Sequence, residues 1–249
     1  MLVLQKKKFM MKNVQHNSRK WAGMVGMMCL LAVALSSCLK TNDNQPQAPI
    51  ALLSVINAAP DAPSLDFYLD ANKANVYSFG FGNGIDYVSA YTGKRTAKFT
   101  TAGTQTVYKS DTLTLNQNRY YSLFLTNTTG NEQLLLLSDT IAKPADGKAG
   151  VRLINLSPDA PAVDLVIKDG ATVVANKAFK AYSGFVPVAS NKYTLEIRQA
   201  GTATVLATLT NVNLSNGSLY TVWLQGLAAA GTPDAKKLAG KIQTNVYYY

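Results

Sequence analysis

The sequence predicts an all-β protein made of two tandem antiparallel β-sandwich domains. Three observations support this fold class: a long internal repeat, short segments of alternating polarity, and a tyrosine motif found twice. The repeat is clearest in INAAPDAPSLDFYL, residues 56–69, which returns as INLSPDAPAVDLVI, residues 154–167, with seven of fourteen positions identical. A shift of 98 residues, and of 99 after one insertion, relates much of the remaining sequence. Solenoid repeats have periods of roughly 20–50 residues, so this longer period indicates a whole domain present twice.

Short segments in both halves alternate between apolar and polar faces, as strands with one buried face do. In SLDFYL, for example, Leu65, Phe67 and Leu69 share one face. Breaks rich in turn residues, such as DANKAN and NLSNGS, separate these segments. Apolar residues at helical spacing between good caps are not sustained anywhere after the N-terminal region. The pattern predicts antiparallel strands, about seven in each domain, which suits a sandwich.

The tyrosine motif consists of a leucine, five intervening residues and a tyrosine, from Leu115 to Tyr121 in the first half and from Leu214 to Tyr220 in the second. This spacing resembles the tyrosine corner of Greek-key sandwiches, in which the leucine packs inward and the phenol hydroxyl bonds back to upstream backbone. We therefore expect Tyr121 and Tyr220 to be structural, and the alternate residues that follow them to face the core. The two domains are predicted to be immunoglobulin-like.

The N-terminus has the anatomy of an export signal. Residues 1–37 begin with a segment that holds six lysines and arginines and no acid, and they continue with an apolar stretch that ends in small residues. Leu35-Ser36-Ser37-Cys38 resembles the lipobox of bacterial lipoproteins. The resemblance implies a lipid-bearing Cys38 at the start of the mature chain, with the membrane as partner through this anchor. The alternative is ordinary cleavage nearby, which leaves Cys38 a free thiol.

The polar, proline-bearing segment at 38–50 is typical of a flexible tether. Leucine follows the cysteine, in place of the aspartate that retains lipoproteins of well-studied Gram-negative bacteria at the inner membrane. By resemblance this points to the outer membrane, with its periplasmic face and the cell surface both open. The predicted order is a signal peptide at 1–37, the tether at 38–50, a first sandwich at 51–142, a linker at 143–150 and a second sandwich at 151–249.

The formal charge of +10 does not indicate nucleic acid as a partner. Six of the 24 basic residues lie in the signal segment, and the remaining 18 stand against 14 acidic residues without forming a run or a basic helix. The only histidine, His16, lies in the signal, and the mature chain contains no cysteine besides Cys38. Because imidazole and thiol are missing, we expect no catalytic activity and no cofactor. Paired carboxylates remain the one catalytic alternative, as in glycoside hydrolysis.

The repeated segment at residues 56–69 and 154–167, called the doubled phrase below, is expected to set the course of the backbone between two strands. Its two prolines fix backbone angles and remove two amide donors, and Asp159, the counterpart of Asp61, is placed to close an Asx turn on the backbone that follows it. Asp66 and Asp164 stand at the start of the next strand, where a carboxylate can accept amides that the bend leaves unpaired. The alternative is a weak calcium site in each copy, since these four carboxylates offer oxygen ligands.

Two aromatic residues stand at equivalent positions of the halves. Phe124 and Trp223 alternate with the inward residues of the tyrosine-corner strands, and so they face outward from the predicted sandwiches. Outward aromatic side chains can form a platform for a sugar or a peptide. The alternative, which we prefer, is contact with a neighbouring domain or a sheet edge.

The segment VRLINLSPDAPAVDLVIKDG, residues 151–170, resembles the opening of the bacterial family called domain of unknown function 4397. The first copy departs from this pattern at Ala59 and Ser54, where the second copy has Ser157 and Arg152. The resemblance implies placement in the cell envelope or secretion, a sandwich-like fold and no established activity. We therefore expect a non-catalytic protein with a binding, adhesion or structural role toward a glycan or a protein. The alternatives are an accessory protein for carbohydrate capture or processing, and a calcium-dependent binding module.

Overall fold

The computed structural model describes residues 48–248, which form strands joined by turns and loops, with one 3-10 turn at Asp234–Lys236. The predicted signal peptide and Cys38 lie outside the described residues, as does most of the tether. In the described part of the chain, no helix has the length and the hydropathy that crossing a membrane requires.

The first half contains eight strands in two sheets. They are β1 Ile50–Asn57, β2 Leu65–Leu69, β3 Asn72–Lys73, β4 Gly84–Tyr91, β5 Gly93–Thr101, β6 Val107–Leu115, β7 Tyr120–Thr126 and β8 Gln133–Asp139. The inner sheet of this half has the order β4-β1-β7-β8, and its outer sheet has the order β3-β2-β5-β6. Neighbouring strands are antiparallel except β1 and β7, which run parallel.

The second half repeats this arrangement strand for strand. Its strands are β9 Lys148–Asn155, β10 Val163–Ile167, β11 Thr172–Lys177, β12 Val186–Ala189, β13 Asn191–Gln199, β14 Val205–Leu214, β15 Ser218–Gln225 and β16 Ala239–Tyr247. The inner sheet has the order β12-β9-β15-β16 and the outer sheet β11-β10-β13-β14, and β9 again runs parallel to its neighbour β15. β9 begins inside the segment 143–150 that the sequence indicated as a linker.

Each half buries its own apolar core between its inner and outer sheets, and this confirms the predicted fold class of two β-sandwich units. Leu65 and Phe67 of β2 are fully buried in the core, as the sequence pattern predicts, although Asp66 between them is buried as well. Tyr121 and Tyr220 face these cores, together with the alternate residues that follow them. Cysteine is absent from residues 48–248. Burial of apolar surface, at about 25 cal/mol per Å², is therefore the main source of stability.

The two inner sheets pack against each other, so that the strands form four layers. The apolar residues buried in this contact are Ile56, Ala58, Phe124, Leu137, Ile154, Leu156 and Trp223. As a result β7 and β15 are covered on both faces, and all eight residues of β15 are buried. The outward residues of these strands therefore form a third core, which joins the halves.

Candidate functional site

The doubled phrase opens with an Asx turn in both copies, made by the asparagine that ends the preceding strand. The Oδ1 atom of Asn57 accepts a hydrogen bond from the amide of Ala59 at 3.0 Å, and that of Asn155 accepts from Ser157 at 3.1 Å. The prediction that Asp159 closes an Asx turn on the backbone that follows it is wrong. The residue two positions further on is Pro161, which has no amide hydrogen to donate.

The first aspartate of each phrase binds the long loop between β15 and β16 instead. Asp159 accepts hydrogen bonds from the amides of Ala228 at 2.8 Å and Ala229 at 3.0 Å. Asp61 forms an ion pair with Lys236, in the 3-10 turn of the same loop, at 2.6 Å. One loop of the second half therefore connects the phrases of both halves.

The second aspartate of each phrase binds a glycine turn in the outer sheet of its own half. Asp66 Oδ2 accepts from the amide of Gly103, and Asp164 Oδ2 accepts from the amide of Gly201, each at 3.0 Å and 37 residues along the chain. Both glycines have φ of +70°, a backbone conformation that residues with a side chain rarely adopt. Each of these glycines is the middle residue of an Ala-Gly-Thr turn, at residues 102–104 and 200–202. The doubled phrase and this turn recur together because the hydrogen bond from the glycine amide to the aspartate needs both segments.

Asp66, which is itself buried, is also the centre of a polar cluster. Its Oδ1 atom accepts from the hydroxyl of Ser78 at 2.6 Å and from the side-chain amide of Asn75 at 3.0 Å, and it pairs with the ammonium of Lys73 at 2.9 Å. Burial alone raises the pKa of Asp66, but hydrogen bonds from Ser78, Gly103, Lys73 and Asn75 outweigh burial and hold this pKa far below its usual range. The stability that ionised Asp66 contributes is present above the ordinary aspartate pKa and is lost as the pH falls toward the folded-state value.

These contacts disfavour calcium at the doubled phrase. Calcium takes six to eight oxygen ligands, whereas Asp61, Asp66, Asp159 and Asp164 face amide, hydroxyl and ammonium donors. Within residues 48–248, no three histidine, cysteine, aspartate or glutamate side chains come together as a metal centre would require. The four aspartates act as anchors that hold loops to strands.

The two predicted tyrosine-corner residues lie against the cores of their halves. The hydroxyl of Tyr121 accepts a hydrogen bond from the amide of Asn116, and that of Tyr220 accepts from the amide of Ser215, each at 3.0 Å and five residues upstream. Both rings are buried. Each hydroxyl thereby satisfies a backbone donor in the turn that leads into its strand, which is a structural role.

Phe124 and Trp223 are not a surface platform. Their rings lie in the core between the halves, with centroids 6.2 Å apart and an interplanar angle of 61°. The indole N–H of Trp223 donates to Gln225 at 2.8 Å, so its one polar atom is satisfied. Since neither ring is open to solvent, no sugar or peptide can stack on it. The possibility of a surface platform is therefore wrong, and the rings contact the neighbouring half, as the preferred interpretation expected.

A buried ion pair crosses the contact between the halves, and sequence reasoning missed it. Arg152 of β9 is 3% exposed and pairs with Asp139 of β8 at 2.5 Å. Its other N–H groups donate to Thr221 at 2.7 Å and to Ser122 at 3.1 Å. The sequence feature that could have indicated this ion pair is a difference between the two copies, since the first copy has Ser54 at the position equivalent to Arg152.

Tyr87 extends this network toward solvent. Its hydroxyl donates to Asp139 at 2.6 Å and accepts from Asn245 of β16 at 2.9 Å. Burial, together with the charge and the hydrogen bond of Asp139, raises the pKa of Tyr87 far above its ordinary value. The phenol therefore stays protonated and remains a donor at every pH near neutrality.

A cleft of about 520 Å³ lies beside this network, where the edge strands β4 and β16 come together. Its lining residues are Asp86, Tyr87, Ile242, Gln243, Thr244, Asn245 and Tyr247. The Tyr247 side chain is 58% exposed, and the amide of Gln243 donates to Asp86 at 3.1 Å. A carboxylate, two amides and an exposed ring therefore share one opening.

A second cleft, of about 440 Å³, has Gly184 and Phe185 where the first has Asp86 and Tyr87, at the repeat shift of 98 residues. Pro187 and Leu219 add to its lining. Thr140 and Lys143 are its polar lining residues, and it has neither the carboxylate nor the side-chain amides of the first cleft. The fold alone does not account for the carboxylate and amide side chains of the β4–β16 cleft, because the fold occurs twice and these groups line one of the two clefts.

A model of the family described as domain of unknown function (DUF4397) matches residues 51–166. The match covers the first half and continues through β9 into β10 of the second, so that all four aspartates of the doubled phrase lie within it. No curated protein matches the sequence.

Two solved structures are similar to parts of the chain. One is a crystal structure of CBMbc (family CBM26) from Eubacterium rectale Amy13K in complex with maltoheptaose, 13% identical, with 75% of this chain and 100% of that chain covered and a TM-score of 0.24. The other concerns alpha-glucan binding by a streptococcal virulence factor, 9% identical, with 71% and 92% covered and a TM-score of 0.23. At these TM-scores neither likeness carries an argument about this chain. The comparisons indicate no enzyme family.

Proposed function

We propose that this chain is a non-catalytic lipoprotein of the cell envelope, built from two copies of the DUF4397 domain, and that it binds carbohydrate in the cleft between β4 and β16. The observation that carries the proposal is the lining of this cleft. It joins an exposed tyrosine ring to one carboxylate and two amides, contributed by both halves. Binding therefore requires the halves to be packed as they are.

The cleft offers the groups that a sugar ring needs. The Tyr247 ring presents an apolar face to the C–H groups of a pyranose, and aromatic contacts of this kind contribute about 0.5–1.5 kcal/mol beyond area burial. The carboxylate of Asp86 accepts from sugar hydroxyls, and amides both donate and accept. Gln243 and Asn245 are already held by Ser54 and Tyr87, so little side-chain freedom is lost on binding.

The same lining supports binding without hydrolysis. Glycosidases need two carboxyl groups, about 5–5.5 Å or 6.5–9.5 Å apart, on the two sides of the scissile bond. Among the described residues that line the cleft, Asp86 is the one carboxylate. A bound glycan would therefore be held and released unchanged.

The binding proposal is tested by calorimetric titration of residues 48–249 with soluble oligosaccharides of glucose, mannose, galactose and N-acetylglucosamine. At least one of these series should bind, and Tyr247→Ala should weaken it by about two- to tenfold, since loss of stacking costs about 0.5–1.5 kcal/mol. Asp86→Asn should weaken it at least as much, because hydrogen bonds to a charged group contribute about 1.5–3 kcal/mol.

The matched control is Tyr182→Ala, which removes a tyrosine of the second half that is 50% exposed and outside the cleft lining. This variant should bind as the parent does. Absence of binding to every series, or equal loss in the Tyr182 and Tyr247 variants, would rule out the cleft as the carbohydrate site.

The anchor is tested separately, at Cys38 in the full chain. The lipobox resemblance and the basic, apolar segment before it support export and lipid attachment, and Leu39 after the cysteine supports the outer membrane, on either face. In bacteria fed an alkyne-bearing fatty acid, the parent protein should carry the label and sediment with membranes. Cys38→Ser should lose the label and move to the soluble fraction. A Cys38→Ser protein that keeps both properties contradicts the proposed lipid attachment.

A further inference from the structure

A second opening adjoins the β4–β16 cleft, beside the turn that leads into β4. Its volume is about 210 Å³, and residues 82–84 of this turn line it together with Ile56 and Trp223, which are both buried. Asp86 and Gln243 belong to its lining and to that of the β4–β16 cleft. The two openings therefore share one wall, and we call the second one the Asn83 opening.

The shared wall is a hydrogen-bonded pair of side chains. The side-chain amide of Gln243 donates to Asp86 at 3.1 Å and to the hydroxyl of Ser54 at 3.2 Å. Asp86 is exposed, whereas Ser54 is fully buried. Because Gln243 is already held by both partners, it loses little freedom when a ligand arrives. A carboxylate and an amide thus stand ready at the junction of the two openings.

Asn83 supplies a further polar group to the second opening. Its side chain is exposed, and its amide lies 3.5 Å from the carbonyl of Phe81, which is longer than an ordinary hydrogen bond. The amide is therefore able to donate to one sugar hydroxyl and to accept from another. The adjacent Gly82 is closely packed, since a Cβ there would lie 2.6 Å from the side chain of Gln225.

The repeat separates the shape of this turn from its side chains. At the shift of 98 residues, Gly-Asn-Gly at 82–84 is replaced by Lys-Ala-Tyr at 180–182. The backbone is similar, because φ is +79° at Gly82 and +63° at Lys180. The turn shape is thus common to both halves, whereas the exposed amide beside the cleft is particular to the first half.

The two openings follow one another along β4 and β16. Gly82 lies beside Lys241 at one end, Asp86 bonds to Gln243 in the middle, and Tyr247 lies at the other end. The strand from Lys241 to Tyr247 is about 20 Å long, at about 3.3 Å per residue. One pyranose ring is much shorter than this path, so a ligand that uses both openings must contain several rings.

We propose that the ligand is a chain of several sugar rings that runs through both openings. This inference rests on the proposed carbohydrate binding. One ring stacks on Tyr247 in the β4–β16 cleft, a later ring bonds to Asn83, and the rings between them contact Asp86 and Gln243. Tyr247 and Asn83 are both exposed, so the path is open at its two ends and accepts the interior of a long glycan.

The test is calorimetric titration of residues 48–249 with chains of two to six rings from the glucose, mannose, galactose and N-acetylglucosamine series. In a series that binds, affinity should rise about tenfold from two rings to six, the effect of one or two added hydrogen bonds. Tyr247→Ala should weaken binding at every length. Asn83→Trp fills the Asn83 opening and should remove most of the rise.

The matched control is Asn213→Trp, which places the same ring at an exposed asparagine of β14, outside both openings. This variant should show the full rise. Both replaced side chains are exposed, so the two variants should melt at the temperature of the parent. A longer chain also offers more positions to a two-ring site, and this statistical part of the rise should persist in Asn83→Trp.

Equal affinity at all lengths, or the same rise in the parent and in Asn83→Trp, overturns this inference and leaves the proposed binding in place. A loss in Asn83→Trp that is as large for two rings as for six also overturns it, because the two openings then act as one site. Absence of binding by every series at every length overturns both the inference and the proposed function.

Discussion

Asp139→Ala is expected to lower the free energy of unfolding by about 3–5 kcal/mol, the usual cost of breaking a buried ion pair from one side. Arg152 is 3% exposed, and without Asp139 its charge has no counter-ion in the contact between the halves. Tyr87 and Ser122 lose their acceptor in the same change. Urea denaturation of residues 48–249, followed by fluorescence and by circular dichroism, measures this loss.

The control is the double variant Asp139→Leu with Arg152→Leu. Replacing both members of a buried pair by apolar residues is often near neutral, so the double variant should lose clearly less stability than Asp139→Ala. Equal losses in the two proteins would show that the pair's charges are not what the contact depends on. A loss below about 1 kcal/mol in the single variant would place the pair among surface ion pairs.

Trp223→Ala is the second large change, with an expected loss of about 3–5 kcal/mol, as for other buried aromatic residues replaced by alanine. The ring is 4% exposed and packs on Phe124 in the core that joins the halves. Its removal opens a cavity between the two inner sheets. A platform on the surface predicts the opposite result, in which binding changes and stability does not.

Thermal and urea unfolding of Trp223→Ala are compared with those of Tyr182→Ala. Tyr182 is 50% exposed, so its truncation should change stability by no more than about 0.5 kcal/mol. If the tryptophan variant is as stable as the parent, the packing of the two halves contributes little, and the shared cleft loses its structural basis. The melting curve should also show whether the weakened halves unfold in one step or in two.

Much of the fold follows from local sequence patterns. The alternation in β2 and the position of Tyr121 indicate inward and outward faces, because strand periodicity is a property of neighbouring residues. The carboxylates at Asp66 and Asp164 were expected to accept backbone amides, and they do so at Gly103 and Gly201. Which amides they take was not predictable, since each glycine lies 37 residues further along the chain.

The candidate site was much less predictable. Asp159 was expected to bond to its own turn, but it reaches Ala228, 69 residues away. The cleft lining of Asp86 and Tyr247 carries no motif, since one strand edge of each half supplies it. The sequence carried two signals of this contact, the outward aromatic residues Phe124 and Trp223 and the difference between Ser54 and Arg152. Neither signal says which strands of the other half cover these residues.

By itself the sequence determined the repeated sandwich, the strands and the faces that build each core, because these depend on periodicity and on spacings within one copy. Tertiary structure alone decided that the inner sheets pack together. That packing buries Phe124 and Trp223, pairs Arg152 with Asp139 and brings β4 beside β16. The physical reason is that an outward strand face has the same periodicity whether it meets water or another sheet, and only the partner surface distinguishes the two.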